Sequence, residues 1–259
     1  MRAPQGLLGG IISRVVGIQQ KNSDNQNIDA PVRLHSYQEM CTQPIIRKQY
    51  NLIDEGNYAV LQNAQTAAAM TTTAAFSATA PFFILENNQP LGGLNMYLDY
   101  ANLTCTVAGT AASGLTYTGM TVVTDSTMRY SSGGTALSAV NPNQGAANAV
   151  ASSIIGFYGT PTATAASAAA RTLVGLRDVR PASTGAIATV VGDNIIVNFG
   201  AVEGNSAGSI TVANPSIIPV ACPCVEVPPQ GSALIYLYYA TSTTPVAAQW
   251  VPEVGVFFR

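Results

Sequence analysis

The amino-acid sequence predicts an all-β protein, and three observations carry that expectation. Short apolar runs of strand length recur from Tyr50 to the C-terminal residues, separated by turn-forming clusters such as Gly192-Asp193 and Pro228-Pro229-Gln230-Gly231. No run of roughly 18 or more apolar residues occurs, so the chain does not read as a conventional membrane-spanning protein. At 47% hydrophobic residues, the chain has enough apolar mass to bury a sizeable core. Many short strands with turn signals between them indicate a β-sandwich or barrel. The 259 residues allow one large domain of this kind or two small ones.

Charge is what the chain lacks. Only 9% of its residues are Asp, Glu, Lys or Arg, against about 25% in an ordinary soluble domain. Not one charged residue lies between Tyr130 and Ala170. A surface this poor in charge favours association, so the working state is expected to be an assembly. The net charge is -2. That argues against nucleic-acid binding by the chain as a whole, which needs a basic footprint.

The N-terminal segment is chemically distinct. Residues 1–48 carry Arg2, Arg14, Lys21, Arg33, Arg47 and Lys48 against Asp24, Asp29 and Glu39, a balance of +3, while the remainder stands at -5. Leu7, Leu8, Ile11, Ile12, Val15 and Val16 recur at a spacing of four, and on a helix they would form one apolar stripe, with Ser13, Arg14 and Gly17 away from it. Gly9, Gly10 and Gly17 each weaken an isolated helix by about 1 kcal/mol. The segment is therefore expected to order against a partner. Residues 1–44 read as an arm and residues 45–259 as the body. No signal peptide is evident, because Gly9, Gly10 and Arg14 break the apolar run and no clear cleavage site follows.

The body reads in order as follows. Tyr50–Ile53 and Tyr58–Leu61 flank a turn at residues 54–57 and suggest a hairpin. Phe82–Leu85 is a short buried strand. Leu94–Val107 alternates, placing Leu94, Met96, Leu98 and Tyr100 on one face. Met120–Tyr130 follows, and later come Ala186–Val191, Asn194–Phe199, Ser209–Val212, Ile217–Val227, Ala233–Ala240 and Gln249–Phe258. Residues 64–80 and 131–170, rich in Ala, Thr, Ser and Gly, read as long excursions between strands, with a short helix suggested over Ala163–Leu176. Uncharged excursions suit contact between subunits. There is no fixed-period repeat to suggest a solenoid.

Catalytic chemistry leaves little trace. His35 is the one histidine, and neither a triad nor a Cys-His pair is suggested. Asp54 and Glu55 read as turn residues, and Asp99, Asp125, Asp178 and Asp193 are isolated in sequence. Cys222-Pro223-Cys224 would place both thiols on one face of a strand. A structural metal, a disulfide involving one of Cys41, Cys105, Cys222 and Cys224, and buried free thiols are the three readings, of which the free thiols are favoured. No phosphate-binding loop follows Gly200, Gly204 and Gly208, and Asn102-Leu103-Thr104, a glycosylation triplet, lies within a strand. No enzyme, catalytic residue, cofactor or metal is expected.

The C-terminal third carries a resemblance. Val220-Ala-Cys-Pro-Cys-Val-Glu-Val-Pro-Pro-Gln-Gly-Ser-Ala-Leu-Ile-Tyr-Leu-Tyr-Tyr239 is a strand, a Pro-Gly turn and an aromatic-rich strand, and Gln249–Phe258 is a last strand. With the arm and the long excursions, this resembles the viral jelly-roll capsid proteins in layout rather than in any single motif. The resemblance implies a jelly-roll β-sandwich, with one jelly roll preferred over a compact double one. It implies a virion structural protein, a capsid or capsid-associated subunit that self-assembles into an icosahedral shell, as in viruses and bacteriophages. The partners implied are copies of itself and other virion proteins, and the place is the virion, after synthesis in the host cytoplasm. Capsid arms of small RNA viruses are often arginine-rich, and this one is not, so strong nucleic-acid binding is not expected. Its stripe of Leu7, Leu8, Ile11, Ile12, Val15 and Val16, with Arg14 beside it, suits docking on a neighbouring subunit or lying on an internal lipid membrane. A phage fibre, spike or receptor-binding protein is the alternative reading, and a β-sandwich surface hydrolase the third.

Overall fold

The computed structural model describes residues 20–21, 27–28, 52–64, 66–69, 76–108, 118–145, 150–180, 191–200, 217–239 and 248–259. Two compact units divide the chain, Met1–Lys48 and Gln49–Arg259. In the first, β1 (Gln20–Lys21) pairs antiparallel with β2 (Asn27–Ile28). The apolar stripe of the arm, His35 and Cys41 lie outside the described residues.

The second unit is two β-sheets. Its strands are β3 (Tyr58–Gln62), β4 (Ala68–Ala69), β5 (Phe83–Asn87), β6 (Met96–Val107), β7 (Thr118–Asp125), β8 (Tyr130–Ala136) and β9 (Ser138–Val140). After a 3-10 turn at Ala151–Ser153 come β10 (Ile154–Ala163), β11 (Arg171–Arg180), β12 (Asn194–Phe199), β13 (Ile217–Cys222), β14 (Val225–Val227), β15 (Ser232–Tyr239) and β16 (Gln249–Phe258). One sheet runs β11-β7-β15-β5-β10-β8, and every pair in it is antiparallel. The other runs β13-β12-β6-β16-β3-β9, with β14 added on β6 and β4 on β16. Its one parallel pair is β12 with β13.

Alternation explains the sandwich. Ala59 and Leu61 of β3, Ile195, Val197 and Phe199 of β12, and Trp250, Val254 and Val256 of β16 are buried on the inward face of the eight-stranded sheet. They join Phe83, Leu85, Met120, Val122, Ile235 and Leu237 of the six-stranded sheet in one core cluster. Each large apolar side chain so buried contributes about 1.5–3 kcal/mol. The six-stranded sheet is buried on its other face as well, where Ile84, Val123, Leu234, Tyr236 and Tyr238 form a second cluster. That is why β5 and β15 read as unbroken apolar runs rather than as alternating ones. Phe76 covers this face edge-on, with ring centroids 4.8 Å from Tyr236 and 6.0 Å from Tyr238.

Several sequence expectations are corrected. Residues 52–54 form a helical turn, closed by the Asn57 N–H donating to the Leu52 carbonyl at 2.8 Å, and β3 pairs with β16 and β9, so the hairpin at 50–61 does not form. The excursion 131–170 contains β8, β9 and β10, and no helix forms over 163–176, where β10 ends at Ala163 and β11 takes up residues 171–176. β10 pairs with β5 on one side and β8 on the other, and this pairing overrides the weak strand propensity of the Ala, Ser and Gly residues. The single strand expected over 217–227 breaks into β13 and β14 at Pro223, which has no N–H to donate. The strand expected over 120–130 ends at Asp125.

A bulge changes β6. Tyr100 lies opposite Gly255 and Leu98 opposite Val256, so Asp99 is the extra residue. Met96 and Leu98 face the core, and beyond the bulge the inward residues become Ala101, Leu103 and Cys105. Tyr100, expected on the same face as Leu98, is turned to the outer face.

Candidate functional site

Three places in the second unit gather chemistry. The first is a knot of buried charge above the second core cluster. Glu86, Asp125 and Arg129 are 3%, 2% and 1% exposed, unusual burial for charged groups in a chain with so few. β7 ends at Asp125, and the following turn carries Arg129 back against β5. Glu86 Oε1 accepts the backbone N–H groups of Arg129 and Tyr130, both at 2.7 Å. The Arg129 guanidinium donates to the Thr164 carbonyl from Nε (3.1 Å) and Nη2 (2.7 Å), and to the Ala78 carbonyl from Nη2 (3.1 Å). Its Nε stands 3.8 Å from Asp125 Oδ2.

Asp125 accepts the backbone N–H and hydroxyl of Ser167 and the backbone N–H and hydroxyl of Thr127. Burial works to raise its pKa, but these hydrogen bonds together outweigh that and hold the carboxyl below its usual range. Burial dominates at Glu86, whose carboxyl is pushed up despite its two backbone donors. The knot is a clamp. It ties residues 78 and 164–167 over the outer face of the six-stranded sheet, and Tyr236 adds a donation to the Ala78 carbonyl at 2.9 Å.

The second place is on the outer face of the eight-stranded sheet. The bulge brings Asp99 to Tyr58, whose hydroxyl donates to Oδ2 at 2.8 Å, and the Tyr100 hydroxyl donates to Glu253 Oε1 at 2.6 Å. Burial raises both phenol pKa values, and the neighbouring carboxylates raise them further. Both rings close over Gly255, where an added Cβ would lie 2.4 Å from Tyr100 Cε1 and 2.6 Å from the Tyr58 oxygen. Of the carboxylates read as isolated in sequence, Asp99 is thus brought beside Glu253, across a tyrosine pair. Here each acid already accepts a phenol hydrogen bond.

The third place is the insertion between β7 and β11. β8 ends the six-stranded sheet, and β9 ends the eight-stranded sheet on β3. The charge-free stretch therefore borders both sheets. Residues 131–134 of β8 are exposed, as are Ala136, Ser138 and Val140.

The cysteines stand apart. Cys105 and Cys222 are buried, and Cys224 is exposed. Because β13 stops at Cys222, Cys222 and Cys224 do not share a strand face as the spacing suggested. Among the described residues, no group of three or more His, Cys, Asp or Glu side chains could hold a metal ion, and no helix is long and apolar enough to cross a membrane. Glu86, Arg129, Tyr58 and Glu253 were not singled out in the sequence, and none sits in a motif that would mark it. Comparison with protein-family models, curated proteins and solved structures finds no significant match.

Proposed function

We propose that the body is a single jelly roll and that the chain is a virion structural subunit, a capsid or capsid-associated protein that self-assembles into an icosahedral shell. The observation that carries this reading is the strand pairing. A jelly roll follows when an antiparallel ribbon of eight strands, pairing first with eighth, second with seventh, third with sixth and fourth with fifth, rolls into two sheets. Taking β3, β5, β6, β7, β11, β12, β15 and β16 as those eight, the four pairs are β3–β16, β5–β15, β6–β12 and β7–β11, and all are antiparallel. Rolling adds eighth against third and seventh against fourth, and β16–β6 and β15–β7 are paired. β4, β8–β10 and β13–β14 are then additions within the connections.

A fold of this kind serves several functions, so the assembly role rests on the surface. The exposed, charge-free strands β8 and β9 can bury themselves against another subunit at little desolvation cost, their Ser and Thr groups exchanging water for hydrogen bonds. The arm adds contacts to neighbouring subunits or to an internal membrane. A stripe of about 12 residues can lie on a bilayer but is too short to span it. Sedimentation velocity of the purified chain across concentration tests the reading. Large discrete species are expected, and a monomer at every concentration would overturn it.

A further inference from the structure

We infer that the side of the sandwich formed by the insertion, together with the loop between β5 and β6, is the contact surface for a second copy of this chain, with Leu91 as its apolar anchor. The inference rests on the assembly reading and adds which surface makes the contact. Leu91 is 84% exposed, more than any other large apolar side chain described. It does not sit on a slack loop. The Gly93 N–H donates to the Pro90 carbonyl at 2.8 Å, closing a turn around Leu91, and Gly92 takes φ +84° in open space. Buried Asn87 donates to the carbonyls of Leu94 and Val227, both at 3.0 Å, and accepts the Gln89 N–H at 3.1 Å. Gln89 donates to Ser153 Oγ at 2.7 Å, and its carbonyl accepts from Gln230 at 2.7 Å. A loop braced this way holds an apolar side chain in water in one place. That is the preorganisation an interface anchor requires, because the ordering cost is met before binding.

The brace also locates the anchor. Ser153 and the Asn88-to-Ser153 backbone bond join this loop to the start of β10, so Leu91 adjoins the charge-free insertion. An apolar anchor beside a neutral polar surface is the usual anatomy of a protein interface. The two ends of the six-stranded sheet differ. β11 opens on exposed Arg171, the kind of charge that keeps edge strands from pairing, and β8 carries none. The loop between Glu86 and Asp99 is equally free of charge. Arg259, whose backbone pairs with Asn95, is a single cation at this border with Glu226 beside it, so nucleic acid and acidic lipid find little countercharge there. A partner as poor in charge fits, and this chain, at 9% charged residues, is one.

The test is sedimentation velocity on the full chain and three variants, with circular dichroism to check folding. Leu91→Asp should weaken self-association on the order of 30-fold or more, as loss of an interface anchor does. Ser132→Asp, which puts charge on β8, should weaken it as well. Leu173→Asp, on β11, should associate like the wild type. Equal association of wild type and Leu91→Asp, or equal weakening by Leu173→Asp, would overturn the inference and leave the assembly reading standing. A wild type that is monomeric throughout would overturn both. A monomer that binds phosphatidylcholine vesicles through Leu91 would replace the second copy with lipid.

Discussion

Replacing Arg129 by Ala should be among the most damaging single changes in the second unit. The guanidinium is almost wholly buried and makes three hydrogen bonds, two to the Thr164 carbonyl and one to the Ala78 carbonyl. Hydrogen bonds from a charged donor are worth about 1.5–3 kcal/mol each, and breaking a buried ion pair costs about 3–5 kcal/mol. The upper part of that range does not apply. Asp125 keeps its donors from Ser167 and Thr127, so its charge is not orphaned, and the Ala78 carbonyl keeps the Tyr236 hydroxyl. Arg129→Ala is therefore expected to cost about 3–4 kcal/mol.

At roughly 2–4 °C per kcal/mol for a domain of this size, Tm should fall by about 6–16 °C. Arg129→Lys keeps the charge but has no planar fork to reach both carbonyls, and should cost about 2 kcal/mol. Denaturation can be followed by the fluorescence of Trp250, the one tryptophan, buried in the core between the sheets. Limited proteolysis should show cleavage near residues 76–80 before global unfolding. An Arg129→Ala protein within about 0.5 kcal/mol of the wild type would refute the clamp.

Four further outcomes are expected. Deleting residues 1–30 should leave the circular dichroism spectrum and Tm of the body unchanged while impairing assembly, and normal particles would remove the role given to the arm. Because the Asp125 carboxyl is held below its unfolded value, its contribution is present above that value and lost as pH falls through the folded one; Asp125→Asn should therefore be less stable than wild type at neutral pH, with the gap closing in acid. Glu86 has the opposite sign, since its raised pKa makes the ionised form costly at neutral pH. Glu86→Gln, which keeps the acceptor, should be at least as stable as wild type at pH 7 in a urea melt, with the difference shrinking as pH falls; a loss above about 1 kcal/mol would contradict this. Gly255→Ala should cost about 2–3 kcal/mol by thermal melt, because its methyl displaces the Tyr100 and Tyr58 rings from Glu253 and Asp99, and an unchanged Tm would show that the rings yield freely.

The legible parts of this fold are those where burial writes a pattern into the chain. β12 and β16 lie where apolar periodicity places them, because their inward residues must be apolar. The bulge at Asp99 was not legible. One extra residue reverses the parity of everything after it and leaves no compositional mark. β8 to β10 were hidden for another reason. Ala, Ser, Thr and Gly have no strong preference for strands, and pairing with β5 and β3, distant in sequence, decides their state. The charged knot joins Glu86, Asp125, Arg129 and Ser167, which no local motif links. Its members were visible only as rare charges in a chain that has few. What the sequence did make plain was the charge-free stretch after Arg129, and the structure sets it at the border of both sheets.

Negative-stain electron microscopy of the purified full chain, at several concentrations and ionic strengths, tests the central claim most directly. Closed shells, or rings of subunits that build them, are the expected result. Because the surface between Tyr130 and Ala170 has no charge to screen, particle number should change little with added salt. Long thin trimers would contradict the shell and point to a fibre, and dispersed monomers under every condition would contradict assembly itself.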